Sequence, residues 1–154
     1  MGFKHIFTVV ALHAAALAAA SSAPAFAQAA AAPARLNPNT ATAEQLAQTP
    51  NMTPALIAAI QARKPLSTAS FDAVLNTALT KQQKAQVYPV LFVPINLNRS
   101  TKEEMALIPG ISGRMVHEFL EYRPYTSLAQ FDKEIGKYVP KAEVARLRSY
   151  VTLD

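Results

Sequence analysis

From Pro109 to Arg114 the chain reads Pro-Gly-Ile-Ser-Gly-Arg, between two short amphipathic stretches, and these residue types in this order suit the holding of an anion. Glycine lets a backbone turn through conformations closed to other residues and lets a ligand approach it closely. If the turn opens onto a helix, the N–H groups of the helix's first turn are unpaired and lie at the positive end of its dipole. A phosphate oxygen is the group such a corner accepts. Arg114 strengthens the reading, because a cation at a helix N-terminus costs ~0.3 to 1 kcal/mol unless an anion offsets it. The competing reading is a tight helix–turn–helix corner that wants glycine for its geometry alone.

Further along, Lys133, Lys137, Lys141, Arg146 and Arg148 make the C-terminal stretch locally basic, although Glu134, Glu143 and Asp154 partly neutralise it. Lys137, Lys141 and Arg148 are candidates for auxiliary phosphate contacts, against the alternative of a solvated face. Other chemistries find little support. The sequence has no cysteine, which excludes disulfides, thiolate nucleophiles and thiolate metal sites. His117, on the polar side of its helix, has no second histidine or cysteine at helical spacing, so no metal site is expected. No nucleophile stands beside a base and no carboxylates converge on one element, so the expectation is a protein that is not an enzyme and carries no cofactor. The net charge of +5 is a mild bias that permits a nucleic-acid partner without arguing for one.

The elements that must position the turn come in two copies. Asn37 to Leu46 lies over Asn96 to Met105 at an offset of 59, and the register carries Pro50 over Pro109, Met52 over Ile111, Ile60 over Phe119 and Pro65 over Pro124. Each copy opens on a capping box, Thr42 with Gln45 and Thr101 with Glu104, placing helix starts near Ala43 and Lys102. Pro50 and Pro109 stop these helices. The next helix of the later copy carries Met115, Val116, Phe119, Leu120 and Tyr122 on one stripe, with Arg114, His117, Glu118 and Glu121 opposite. Its counterpart uses Leu56, Ile57 and Ile60. Ser127 with Gln130 suggests another capping box for a third helix holding Phe131 and Ile135. Fourth helices are expected from Thr80 and from Pro140, the latter with a core stripe of Val144, Leu147 and Val151. The fold expected is all-α, two units of about four short helices each, over residues 35–94 and 95–154. A unit of this size buries only ~60% of its unfolded surface, so the copies should lean on each other or on a partner.

The N-terminal residues read differently. Lys4, the apolar run from Ile6 to Ala20 and Ala25-Phe26-Ala27 form a secretory signal peptide over residues 1–27, followed by an alanine-rich, disordered lead-in over 28–34. A periplasmic or secreted protein is expected, with no stable membrane insertion after cleavage.

At Asn96-Leu97-Asn98, the capping box, the Pro-Gly-Ile-Ser turn and the closing Glu121-Tyr122-Arg123, the chain resembles a helix-hairpin-helix protein of the competence DNA-uptake (ComEA-like) type. The resemblance implies sequence-independent binding of double-stranded DNA by its phosphate backbone. It assigns Gly110, Ile111 and Ser112 to the hairpin, with Ile111 plugging the turn into the core, and Gly113 and Arg114 to the start of the helix. Some relatives hold a monovalent cation on the hairpin carbonyls, so the resemblance leaves room for one at this turn. Ser112 stands where the family carries glycine. The first copy's turn, Pro50-Asn51-Met52-Thr53-Pro54, has no glycine and no base, and Ala78-Leu79-Thr80 and Tyr138-Val139-Pro140 replace the family's second hairpins. Such erosion also resembles the extrinsic photosystem II subunit, whose hairpins pack on protein. A periplasmic protein-interaction scaffold, with a protein partner, is therefore the alternative.

Overall fold

The four N-cap hydroxyls of the first half set its helices. Thr42, Thr53, Ser67 and Thr80 each accept the amide of the residue three ahead, opening α1 (Ala43–Ala47), α2 (Pro54–Ala62), α3 (Thr68–Asn76) and α4 (Lys81–Val87). After β1 (Ile95–Asn96) follow α5 (Lys102–Met105), α6 (Gly113–Glu121), α7 (Leu128–Ile135), α8 (Lys141–Arg148) and β2 (Val151–Thr152). These elements come from a computed structural model that describes residues 35–154. The signal peptide expected over 1–27 and the lead-in over 28–34 lie outside the described residues. Among the described residues the chain is mostly helical, and no helix is long and apolar enough to cross a membrane.

Helices of four to nine residues are too short to persist alone, so burial holds them. Phe71, Phe92, Phe119 and Phe131 are fully buried together with Leu46, Ile60, Met105 and Ile108, in one cluster that draws on both halves. Two polar devices recur at matching positions. Asn39 donates to the Leu66 carbonyl (2.8 Å) and accepts the Leu66 amide (2.7 Å), while Asn98 does the same with Tyr125 (2.9 and 2.8 Å). Lys64 donates to the Ala41 carbonyl at 2.9 Å, and Arg123 donates to the carbonyls of Leu97 and Ser100. Each pair ties the loop before a first helix to the chain leaving a second one.

The structure departs from the expected helical pattern in three places. The Gln130 side chain accepts from Thr126 N at 2.8 Å rather than from Ser127, so Ser127 caps α7 without a closed box. Val151 is not on the α8 stripe: the helix ends at Arg148, and Val151 pairs with Ile95 in a short parallel ladder. Leu36 and Leu91 form a similar bridge. Extended connections need partners for their amides, and these bridges supply them. Finally, Glu118 is not on the exposed face of α6 but buried, at 6% exposure.

Arg35 and Phe92 join the halves. The Arg35 guanidinium donates to the carbonyls of Tyr88 and Pro89 (both 3.1 Å) and of Ser149 (2.8 Å), and lies 3.2 Å from the Tyr150 ring centroid. Phe92 meets Tyr88 and Tyr150 edge-on at 5.5 and 5.2 Å.

Between α3 and α4 a polar cluster replaces apolar packing. Asp72 Oδ1 accepts from Lys84 Nζ at 2.6 Å and from the Tyr88 hydroxyl, and Oδ2 accepts from Asn76 at 2.9 Å. Burial pushes the Asp72 carboxyl up, but the bonds from Lys84 and Tyr88 outweigh it and hold the group below its ordinary 3.8. The hydrogen bonds from Arg146 likewise lower Glu143, whose ordinary value is 4.5. Carboxyls lowered in the folded state bind protons more readily when unfolded, so their stabilisation is present above the ordinary values and is lost as pH falls through the folded ones. The urea midpoint is expected to fall once pH drops below about 4. Asp72→Asn should cost ~1 to 2 kcal/mol at neutral pH and remove part of that acid sensitivity. A wild-type midpoint that stays flat into acid contradicts this account.

Candidate functional site

The turn between α5 and α6 is built from its hydrogen bonds outward. Ile108 and Ile111 amides close successive turns onto the carbonyls of Met105 and Ile108, both at 3.1 Å, and Gly110 adopts φ +71°. That left-handed conformation is where glycine is favoured over other residues. Ile111 is half-buried and packs on the core, which anchors the turn. Ser112 caps α6: its Oγ accepts from Met115 N at 3.1 Å, leaving its own proton available, and its carbonyl accepts from Val116 N at 3.0 Å.

Four amides are left over. The N–H groups of Gly110, Ser112, Gly113 and Arg114 find no acceptor among the described residues, and all four residues are exposed. Nothing lies within 4 Å of where a Cβ on Gly113 would sit. Behind the turn, Arg146 donates from Nη1 to the Pro109 carbonyl at 2.6 Å while Glu143 takes its other nitrogens at 2.7 Å. A half-buried cation thus fixes the back of the hairpin. Sequence reasoning missed this role of Arg146; in the earlier turn the corresponding Gln86 accepts from Asn51 at 2.9 Å.

Arg114 projects from the first turn of α6 with its side chain 73% exposed. Its Nε lies 3.7 Å from Glu118 Oε1 and its guanidinium carbon 5.2 Å from the Tyr138 ring centroid. Glu118 could not be recognised in this role from its pattern, because its neighbours on the helix surface are polar. Its Oε2 is buried without a partner. Tyr138 and Tyr122 share a hydroxyl–hydroxyl bond of 2.7 Å, which together with Glu118 pushes the Tyr138 phenol above its ordinary range. Lys137 lies over the Tyr122 ring at 5.1 Å and pairs with Glu134. Arg114 and Lys137 therefore share one tyrosine platform.

The other two auxiliary candidates sit elsewhere. Lys141 and Arg148 line the groove between α7 and α8, and Arg148 is engaged by Asp132. In the earlier turn Asn51 takes φ +62° in place of Gly110, but Pro54 occupies the first helical position and has no N–H to offer. His117 is exposed and 3.3 Å from Glu121. Among the described residues no three His, Cys, Asp or Glu side chains are grouped so as to hold a metal ion.

The chain matches no protein-family model, no curated protein and no solved structure.

Proposed function

We propose that this is an exported, non-catalytic protein of tandem helix-hairpin-helix units that grips the backbone of duplex DNA without reading its sequence. The second unit makes the contact, through Gly110, Ile111, Ser112, Gly113 and Arg114. The observation that carries this reading is the set of four exposed amides without internal acceptors, at a glycine turn fixed from behind by Arg146. Such donors suit phosphate oxygens and ignore bases, so they position a duplex and carry no sequence information. Arg114 adds a mobile charge in front of them, and Lys137 extends the same patch. The first unit, with Pro54 at the equivalent position, packs and supports. DNA uptake from outside the cytoplasm is the process this would serve.

A specific observation also favours the alternative, a periplasmic interaction scaffold: Lys137 and Arg148 are already paired with Glu134 and Asp132, which lowers their worth to phosphate. Fluorescence anisotropy of the purified protein with a labelled duplex separates the two. Micromolar binding that weakens with salt is expected, and Arg114→Glu should weaken it across all sequences and reduce the log–log salt slope by about 1. Absence of binding at low salt leaves the scaffold reading in place.

A further inference from the structure

The two halves differ in what fills the space between their third and fourth helices. In the first half, the space between α3 and α4 is closed by the protein's own side chains, with Lys84 and Asn76 meeting each other at 2.6 Å over Asp72 and Tyr88 completing the plug. In the second half the equivalent positions, 60 residues on, hold Gly136 for Asn76, Val144 for Lys84 and Arg148 for Tyr88. The carboxylate persists as Asp132, now paired only with Arg148. The plug is gone, and an open groove of about 730 Å³ lies between α7 and α8.

Its chemistry is mixed in a defined way. Val139, Val144 and Ala145 give apolar lining, while Lys133, Lys141 and Arg148 stand around it and Asp132 is the acid among the lining residues. Asp132 Oδ1 is buried and has no hydrogen-bond partner. A phosphate chain has no use for apolar lining, and an uncharged apolar ligand has no use for the cations. We propose that this groove docks a short acidic segment of a partner protein, one that seats a bulky apolar side chain between the helices and sets its carboxylates against Lys133 and Lys141.

The test is a display library of short random peptides selected in parallel on the purified protein and on Val144→Lys. That variant restores the plug, since its ammonium would reach Asp132 as Lys84 reaches Asp72. Wild type is expected to enrich peptides with an apolar residue bracketed by Asp or Glu, and purified examples should bind Val144→Lys at least about tenfold more weakly. Lys141→Glu, an exposed change that leaves the fold alone, should weaken the same peptides and keeps the test decisive if Val144→Lys melts early. Gly110→Asp should leave peptide binding unchanged, so failure of the DNA reading and failure of this one are separable. No enrichment, enrichment without acids, or binding to Val144→Lys and Lys141→Glu as tight as to wild type overturns the proposal. So does a loss of duplex binding or of self-association in Val144→Lys, since the groove would then serve DNA or a second copy.

Discussion

Phe92→Ala is expected to be the most damaging single truncation in the protein, costing ~3 to 5 kcal/mol and lowering the melting temperature by roughly 10 °C or more. The ring is 1% exposed, lies between Tyr88 of the first half and Tyr150 of the second, and sits in the segment connecting α4 to β1. Truncation removes two edge-to-face contacts along with the buried area. It also loosens the place where Arg35 holds the carbonyls of Tyr88, Pro89 and Ser149 together. Because each half alone is too small to bury enough surface, the loss should not be confined to one side. Urea unfolding followed by circular dichroism checks this. Wild type should unfold in one transition, with Phe92→Ala shifted far to low denaturant. A loss below about 1 kcal/mol would mean that the two cores are energetically separate.

The helix starts were legible because they are written in local chemistry. A hydroxyl three residues before Gln or Glu has few other uses ahead of an apolar run, and Thr42 and Thr101 both close their boxes. Where the same signal failed, at Ser127, the competitor was one residue away: the Thr126 amide was nearer to the Gln130 side chain than the cap's own. Val151 was misplaced for a different reason. Its spacing from Val144 and Leu147 fits a helix, and only a partner 56 residues distant, Ile95, makes it a strand residue. Periodicity carries no information about such a pairing.

The site was partly legible on the same terms. Gly110 and Gly113 could be read from residue type and order, since a left-handed turn and an exposed first helical turn are local demands, whereas the capping role of Ser112 emerges only from the structure. The groups that hold the turn from outside could not. Arg146 looked like one cation among several, and its bond to the Pro109 carbonyl spans 37 residues. Glu118 looked like a surface residue, yet it is buried beneath Arg114 and beside Tyr138. The basic C-terminal stretch illustrates the same limit, because folding sends Lys137 to the tyrosine platform and Lys141 and Arg148 to a different groove.

Gly113→Pro is expected to separate binding from stability at the hairpin. Pro54 already occupies the equivalent position of the first half, preceded by Thr53 at φ −103° and ψ 157°. Ser112 has φ −85° and ψ 155°, a conformation that a following proline accepts. The Gly113 N–H has no internal acceptor, so its removal breaks nothing within the fold. The variant should be as stable as wild type or more so, by ~0.4 to 1 kcal/mol, through a less flexible unfolded chain. Duplex binding should nonetheless weaken roughly tenfold or more, because a hydrogen bond to a charged oxygen is worth ~1.5 to 3 kcal/mol and proline cannot donate one. Gly110→Asp should act more strongly still, by setting a carboxylate against the phosphate. Gly110→Asn serves as its control, since Asn51 holds the same backbone conformation at φ +62°. Anisotropy at low salt, paired with thermal melts, reads both quantities. If Gly113→Pro keeps its fold and binds duplex as wild type does, the amides after Pro109 are not the contact, and DNA binding through this turn is wrong.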